Sequence, residues 1–291
     1  EQGGLLENRL MIDSAGRVGI AEGAPGALLH VRNNSNQPGV IVQANSTQSN
    51  TNPLLKLQAA AGSDLMWIHS DDPSNIFIGA FSGMANNTGG GGIANIFIGE
   101  GSGASNSTGF GNIFLGYYSG NANSTGSDNT FIGLGSGTNN IAGSGSVFVG
   151  SHAGDVNNAD NNTFVGASSG QNNTTGAFNT FLGASAGGSN ISGQNNTYVG
   201  QAAGISNTNA IGKNTLIGDQ AGALLSNGTG NVFLGYQAGY AASGDNKLYI
   251  ANSSANTLIY GDFATKRVGV SNTAPASTLQ VNGSVAAAVS L

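Results

Sequence analysis

The chain has 291 residues, 49 of them Gly and none Cys, with 8 Lys+Arg against 14 Asp+Glu for a net charge of −6. The missing Cys removes disulfides, thiolate metal sites and Cys nucleophiles, and no apolar run approaches the ~18 residues of a membrane span, so membrane insertion is not expected. No Lys or Arg lies between Lys56 and Lys213, although Asp64, Asp71, Asp72, Glu100, Asp128, Asp155 and Asp160 do; such a stretch cannot neutralise phosphates, which argues against nucleic acid as a partner.

Residues 1–33 read as an N-terminal β bracket. Their signature is Gly16-Arg-Val-Gly-Ile20, Ala24-Pro25 and Leu29-His-Val31. It recurs as Lys266-Arg-Val-Gly-Val270, Ala274-Pro275 and Leu279-Gln-Val281, offset by 250 throughout, within a C-terminal bracket assigned to 245–291. A connector over 34–72 is β-rich from Val40 to Ile68 and holds the only Trp, Trp67. Brackets at the two ends of a repeat array would block edge pairing or act as connectors.

Residues 73–244 carry a nine-residue pattern ten times, from Asn75-Ile-Phe-Ile-Gly-Ala-Phe-Ser-Gly83 to Asn231-Val-Phe-Leu-Gly-Tyr-Gln-Ala-Gly239. Its first Gly falls at 79, 99, 116, 133, 150, 166, 183, 200, 218 and 235, a period near 17. A unit that short cannot bury its own core and must lean on its neighbours. The triplet at its centre alternates faces as a short strand does. Position two is Ile, Val or Thr, and position four is Ile, Leu or Val. Between them stands an aromatic: Phe77, Phe97, Phe114, Phe131, Phe148, Phe164, Phe181, Tyr198 and Phe233, with Leu216 on the remaining rung. Gly then ends the strand in a conformation hostile to Cβ, and Asn, Thr and Gly supply turn chemistry. The predicted fold is all-β: a parallel β-solenoid of about ten coils of ~17 residues, spanning roughly 50 Å, flanked by small β modules.

Both faces of each strand are apolar, and one coil has room inside for only one set of side chains. Either the aliphatic pair or the Phe column is therefore left outside as a long stripe of a kind soluble monomers avoid. A closed homo-oligomer that buries the stripe is the simplest expectation.

These residues resemble the Gly-rich repeats of bacteriophage tail-fibre and bacterial surface-fibre proteins of the kind that precede an endosialidase-type intramolecular chaperone. The bracket Arg17-Val-Gly-Ile, Ala24-Pro25, Leu29-His-Val31 and its copy from Arg267 to Gly283 resemble the short module such fibres carry around their repeats. The repeats are also similar in style to trimeric autotransporter adhesin heads, whose repeats are shorter and lack the Phe. The resemblance covers nearly the whole chain from Asn8 to Gly283. It implies a homotrimer in a virion tail fibre or on a cell surface, used for attachment; no chaperone lies within these 291 residues.

The expected function is presentation of an attachment surface to a cell-surface glycan or receptor, without catalysis, cofactor or metal. Phe81, Tyr117, Tyr118 and Tyr236 are the candidate contacts, because aromatic faces at variable corners suit sugar stacking; ordinary packing is the plainer reading of each. A glycan-degrading enzyme would need paired carboxylates on one face, whereas Glu100, Asp128, Asp155 and Asp160 take different repeat positions, and Asp219 shares that of Glu100 only seven repeats further on. The one dense cluster, His69-Ser-Asp71-Asp72, reads as a turn, and His30 and His152 read as isolated packing or surface groups. A bacterial cell-surface adhesin or structural filament subunit is the alternative, and an ice- or glycan-binding monomeric solenoid is the further one. Thr130, Thr163, Thr180, Thr197 and Thr215 share one repeat position, but Ile76, Ile96, Ile113, Val147 and Val232 interrupt it, which suggests that this column faces inward. The Asn at position one is expected to satisfy turn backbone by stacked hydrogen bonds, and the sequons at Asn86, Asn106, Asn123, Asn172 and Asn190 follow from the Asn- and Thr-rich turns.

Overall fold

A computed structural model describes residues 10–22, 24–31, 55–58, 64–69, 72–208 and 212–284. The chain divides into two compact units, Glu1–Thr47 and Gln48–Leu291. In the first, β1 (Leu10–Ile12) pairs antiparallel with β2 (Val18–Ile20), and β2 pairs parallel with β3 (Leu29–Val31). Most of the connector at 34–72, and the Trp67 side chain, lie outside the described residues.

The second unit is one 16-stranded ladder. It opens with β4 (Leu55–Gln58) and β5 (Asp64–His69), an antiparallel pair. Ten triplets follow in parallel: β6 (Ile76–Ile78), β7 (Ile96–Ile98), β8 (Ile113–Leu115), β9 (Thr130–Ile132), β10 (Val147–Val149), β11 (Thr163–Val165), β12 (Thr180–Leu182), β13 (Thr197–Val199), β14 (Thr215–Ile217) and β15 (Val232–Leu234). Each repeat position stacks on its counterpart, as Phe114 does on Phe131. This is the parallel β-solenoid the period predicts. The first step, Gly79 to Gly99, is three residues longer than most and absorbs a single 3-10 turn, Thr88–Gly90, capped by Asn87.

β16 (Lys247–Ala251) continues the parallel ladder beyond β15. The chain then reverses into β17 (Thr257–Asp262) and β18 (Arg267–Val270), both antiparallel, before β19 (Leu279–Val281) runs parallel to β18. The two copies of the duplicated sequence fold alike. Val18 pairs with Leu29 as Val268 pairs with Leu279. Gly26 N donates to His30 Nδ1 as Ala276 N donates to Gln280 Oε1.

The interior settles which stripe is buried. Every aromatic at the centre of a triplet, from Phe77 to Phe233, is sealed inside, and those from Phe77 to Tyr198 stack face to face at 4.6–5.1 Å. Asn75 and Phe77 are two apart, so the position-one Asn shares the strand face of the ring and is buried with it. These amides form a continuous relay. Asn112 N donates to Asn95 Oδ1 and Asn129 N to Asn112 Oδ1, while most of the amide Nδ2 groups donate to a turn carbonyl, as Asn129 does to Gly143 O at 2.8 Å, and Asn196 Nδ2 donates to Asn179 Oδ1. Ser146 keeps the relay intact by accepting from Asn162 N. The expected Asn ladder therefore exists, as a core element.

A second buried amide column, invisible as such in the sequence, runs through Asn86, Asn106, Asn123, Asn140, Asn157, Asn173, Asn190 and Asn207. It breaks twice. Asn157, in a coil one residue shorter, donates to Ala159 O, and Asn140 Oδ1 is left buried without a donor. Asn207 turns its amide to the Tyr198 hydroxyl at 2.9 Å, and Asn190 Oδ1 is left likewise. Each orphan costs about 1–3 kcal/mol.

Two Gly columns make this packing possible. At Gly133, φ is +132° and a Cβ would sit 2.6 Å from the Gly150 carbonyl oxygen of the next coil. At Gly120, φ is +57° and a Cβ would reach within 2.5 Å of the Phe114 ring. The first column lets coils touch backbone to backbone, and the second lets the ring lie flat across its own coil.

Candidate attachment surface

With the rings and amides inside, both flanking columns of the strand face outward. None of Ile76, Ile96, Ile113, Thr130, Val147, Thr163, Thr180, Thr197, Thr215 and Val232 is buried, nor is any position-four residue from Ile78 to Leu234. Ile76, Ile113, Leu115, Leu182 and Leu234 are each more than 40% exposed. This corrects the expectation that the Thr-bearing column faces inward. Parity decides it, because positions two and four must oppose position three, and position three is filled by rings too large for any other place.

Beside this face, Gly79 and its equivalents lead into a corner whose second residue is left-handed on every rung. Non-Gly residues there include Phe81, Tyr118, His152, Ser168, Ser185, Ala202, Gln220 and Gln237, with φ between 52° and 60°. All four aromatics singled out from the sequence are exposed on this corner. Phe81, Tyr117 and Tyr118 lie within three successive rungs, β6 to β8, whereas Tyr236 is on the β15 rung, roughly 34 Å along the axis at ~4.8 Å per rung. The structure thus groups three of them and separates the fourth.

Tyr117 and Tyr118 pack edge to face with ring centroids 4.5 Å apart. The Tyr117 hydroxyl is pushed above its ordinary pKa, first by local desolvation and then by Tyr118 and the Glu100 carboxylate. An edge of the Tyr118 ring lies over Gly101 of the preceding rung, where a Cβ would come within 3.3 Å. His152 repeats this over Gly135, its Nδ1 buried without a hydrogen bond and 3.8 Å from Asp155 Oδ2. Leu134, between them on the β9 rung, is half exposed. By sequence alone His152 reads as isolated. The usable signal was its sharing Tyr118's repeat position, with Gly one rung back in each case.

The remaining candidates come apart. Asp72 accepts from Ser74 N and Oγ, which lowers its pKa. Asp71 and the His69 side chain lie outside the described residues. His30 is engaged by Gly26 N. Among the described residues, no group of three or more His, Cys, Asp or Glu could hold a metal ion, and no helix is long and apolar enough to cross a membrane. Of the five sequons named above, Asn86, Asn106, Asn123 and Asn190 are core amides and Asn172 stands exposed.

Compared with protein-family models, curated proteins and solved structures, the chain finds no match in any of the three.

Proposed function

We propose that this chain is a non-catalytic fibre segment, in a phage tail fibre or a related injection-apparatus fibre, that trimerises through the outward strand face and presents its corners for attachment to a host-cell glycan or receptor. A cell-surface adhesin built the same way is the nearest alternative. The observation that carries the reading is the uncovered aliphatic face. Two columns over ten rungs make a strip of roughly 500 Å², aliphatic at every position-four residue and at five position-two residues with Thr at the other five, near the size where exposed apolar patches mark interaction sites. Its rungs repeat at ~4.8 Å, and a second copy of this chain offers the same spacing, so identical strips match rung for rung under rotational symmetry. Three as the number of copies follows from the resemblance to trimeric fibres. Carboxylates dispersed along the array, with Glu100 and Asp219 seven rungs apart at the position they share, support a non-catalytic role, and a trivalent array would multiply weak contacts.

One observation favours a second reading. Thr130 stands outward, as do Thr163, Thr180, Thr197 and Thr215 on four consecutive rungs, which is an arrangement able to order water in a monomeric, ice-binding solenoid. Light scattering on the purified chain, with and without mild detergent, separates the two. A mass near three chains is expected. A monodisperse monomer would overturn the trimer and put the water-ordering face in its place.

A further inference from the structure

The corner on rungs β7 to β10 combines features that do not recur elsewhere along the same column. Tyr118 and His152 occupy the left-handed position two rungs apart, each with a ring edge laid on the Gly of the rung before it. Their separation, about 9.6 Å at two strand spacings, is close to the advance of one disaccharide in an extended pyranose chain. Leu134 fills the rung between them, and Tyr117 braces Tyr118 edge to face. Tyr118 is 37% exposed and the His152 side chain 45%.

Polar groups border the row. Glu100 is exposed beside Tyr117. Asn121 donates to Gly101 O, and Asn139 donates to Asp155 Oδ1 at 3.0 Å. Rings that offer a face to C–H groups, alternating with amides and carboxylates that pair with hydroxyls, suit a carbohydrate. Charge narrows the class. The row carries Glu100 and Asp155, and no Lys or Arg occurs from 57 to 212, so a sialylated, sulfated or phosphorylated chain would be repelled, and a nucleic acid would find no cation for its phosphates.

We propose that Tyr117, Tyr118, Leu134 and His152 form a binding site for an extended, uncharged glycan lying parallel to the solenoid axis; this deepens the attachment reading above and rests on it. Tyr118 and His152 each stack on one sugar, two residues apart in the chain. Glu100 and Asp155 accept hydroxyl protons at its flanks and exclude acidic glycans.

Calorimetric titration of the full chain with cello-, chito-, malto- and mannohexaose, against polysialic-acid and heparin hexasaccharides, tests this. At least one neutral probe is expected to bind, and neither acidic probe. Tyr118→Gly and His152→Gly should each weaken binding about 2- to 10-fold, as for a single aromatic contact. Gly already holds this position at Gly101 and Gly135, so both variants keep a backbone the fold accepts. Ser185→Gly, at the same repeat position on a distant rung, should leave affinity unchanged. Absence of binding by every neutral probe, equal binding of an acidic one, or full affinity in the Tyr118→Gly/His152→Gly double variant would each overturn the site. Light scattering on the same samples keeps the two readings apart: a trimer that binds no neutral glycan sinks this proposal alone, and a monomer that binds one sinks only the trimer.

Discussion

Between Asn95 and Asn196 the coils are joined by buried amides and stacked rings, whereas between Lys247 and Asp262 the same ladder is held by an ion pair and two edge-on tyrosines. From Asn95 to Asn179, each position-one Asn Oδ1 accepts from the backbone of the coil above and each Nδ2 donates to a turn. The relay ends at Asn231, which accepts from Lys247 N. Beyond it Phe233, Tyr249 and Tyr260 meet at 86° and 78° instead of stacking, and Lys247 Nζ contacts Asp262 Oδ2 at 2.9 Å across the β16–β17 pair. A coil with a copy of itself on either side can export its unsatisfied groups to its neighbours. The last coil has no such neighbour, so the chain turns back in antiparallel strands, with the ion pair bridging the first of these reversals and β19 forming the edge.

The sharpest way to break this contrast is to place the same kind of change in a middle coil and in the turn that leads into β16. Gly133→Val puts a β-branched side chain at φ +132° against the next coil's backbone and should cost roughly 5 kcal/mol, strain and overpacking together. Gly244→Val, at φ +85° with open space around it, should cost only the strain, about 1–3 kcal/mol. Calorimetric melting of the two variants would show the difference, and equal losses would mean that coil contact is not what the middle Gly serves.

Next in size, Phe131→Ala should cost about 4 kcal/mol by opening a cavity in the ring stack, with Phe131→Leu much milder because Leu216 fills the same place on another rung. Asn129→Ala follows at about 3 kcal/mol, since Ser146 N and Gly143 O both lose a buried partner. Asn129→Ser should recover most of that, because Ser146 already serves the relay. Denaturant titration of the pair would decide whether the amide column is structural or incidental.

The smallest effect is expected at the C-terminal end. Asp262 is held down at about 2, first by the Lys247 hydrogen bond and then by Thr265 N. A carboxyl depressed in the folded chain contributes above its ordinary value near 3.8 and loses that contribution as pH falls toward about 2. Lys247, raised by the same partner, keeps its share until pH climbs past the ordinary lysine range. Hydrogen exchange should therefore show β16–β17 amides loosening between pH 4 and pH 2 while β9–β12 amides hold. Asp262→Asn should abolish that difference in pH response.

Much of this was legible in the sequence. The period, the triplet strands, the Gly that ends each one and the duplicated segment around Arg17 and Arg267 all follow from spacing and residue type. A run of ten identical punctuations leaves the backbone few alternatives. Spacing could not say which side of the triplet is inside, because Ile76 and Ile78 oppose Phe77 and all three are apolar. The deciding information is spread over the coil. The Gly four residues after the first one must lack a Cβ for the ring to lie flat, and Asn75 must turn inward with Phe77 by parity. Asn86, distant in sequence, then meets the same interior. The second amide column, the outward Thr column and the row from Tyr118 to His152 arise only once successive coils are stacked. Stacking sets residues about 17 apart side by side, and that adjacency, more than any local propensity, determines which polar groups are satisfied inside and which aromatic rings are left facing solvent.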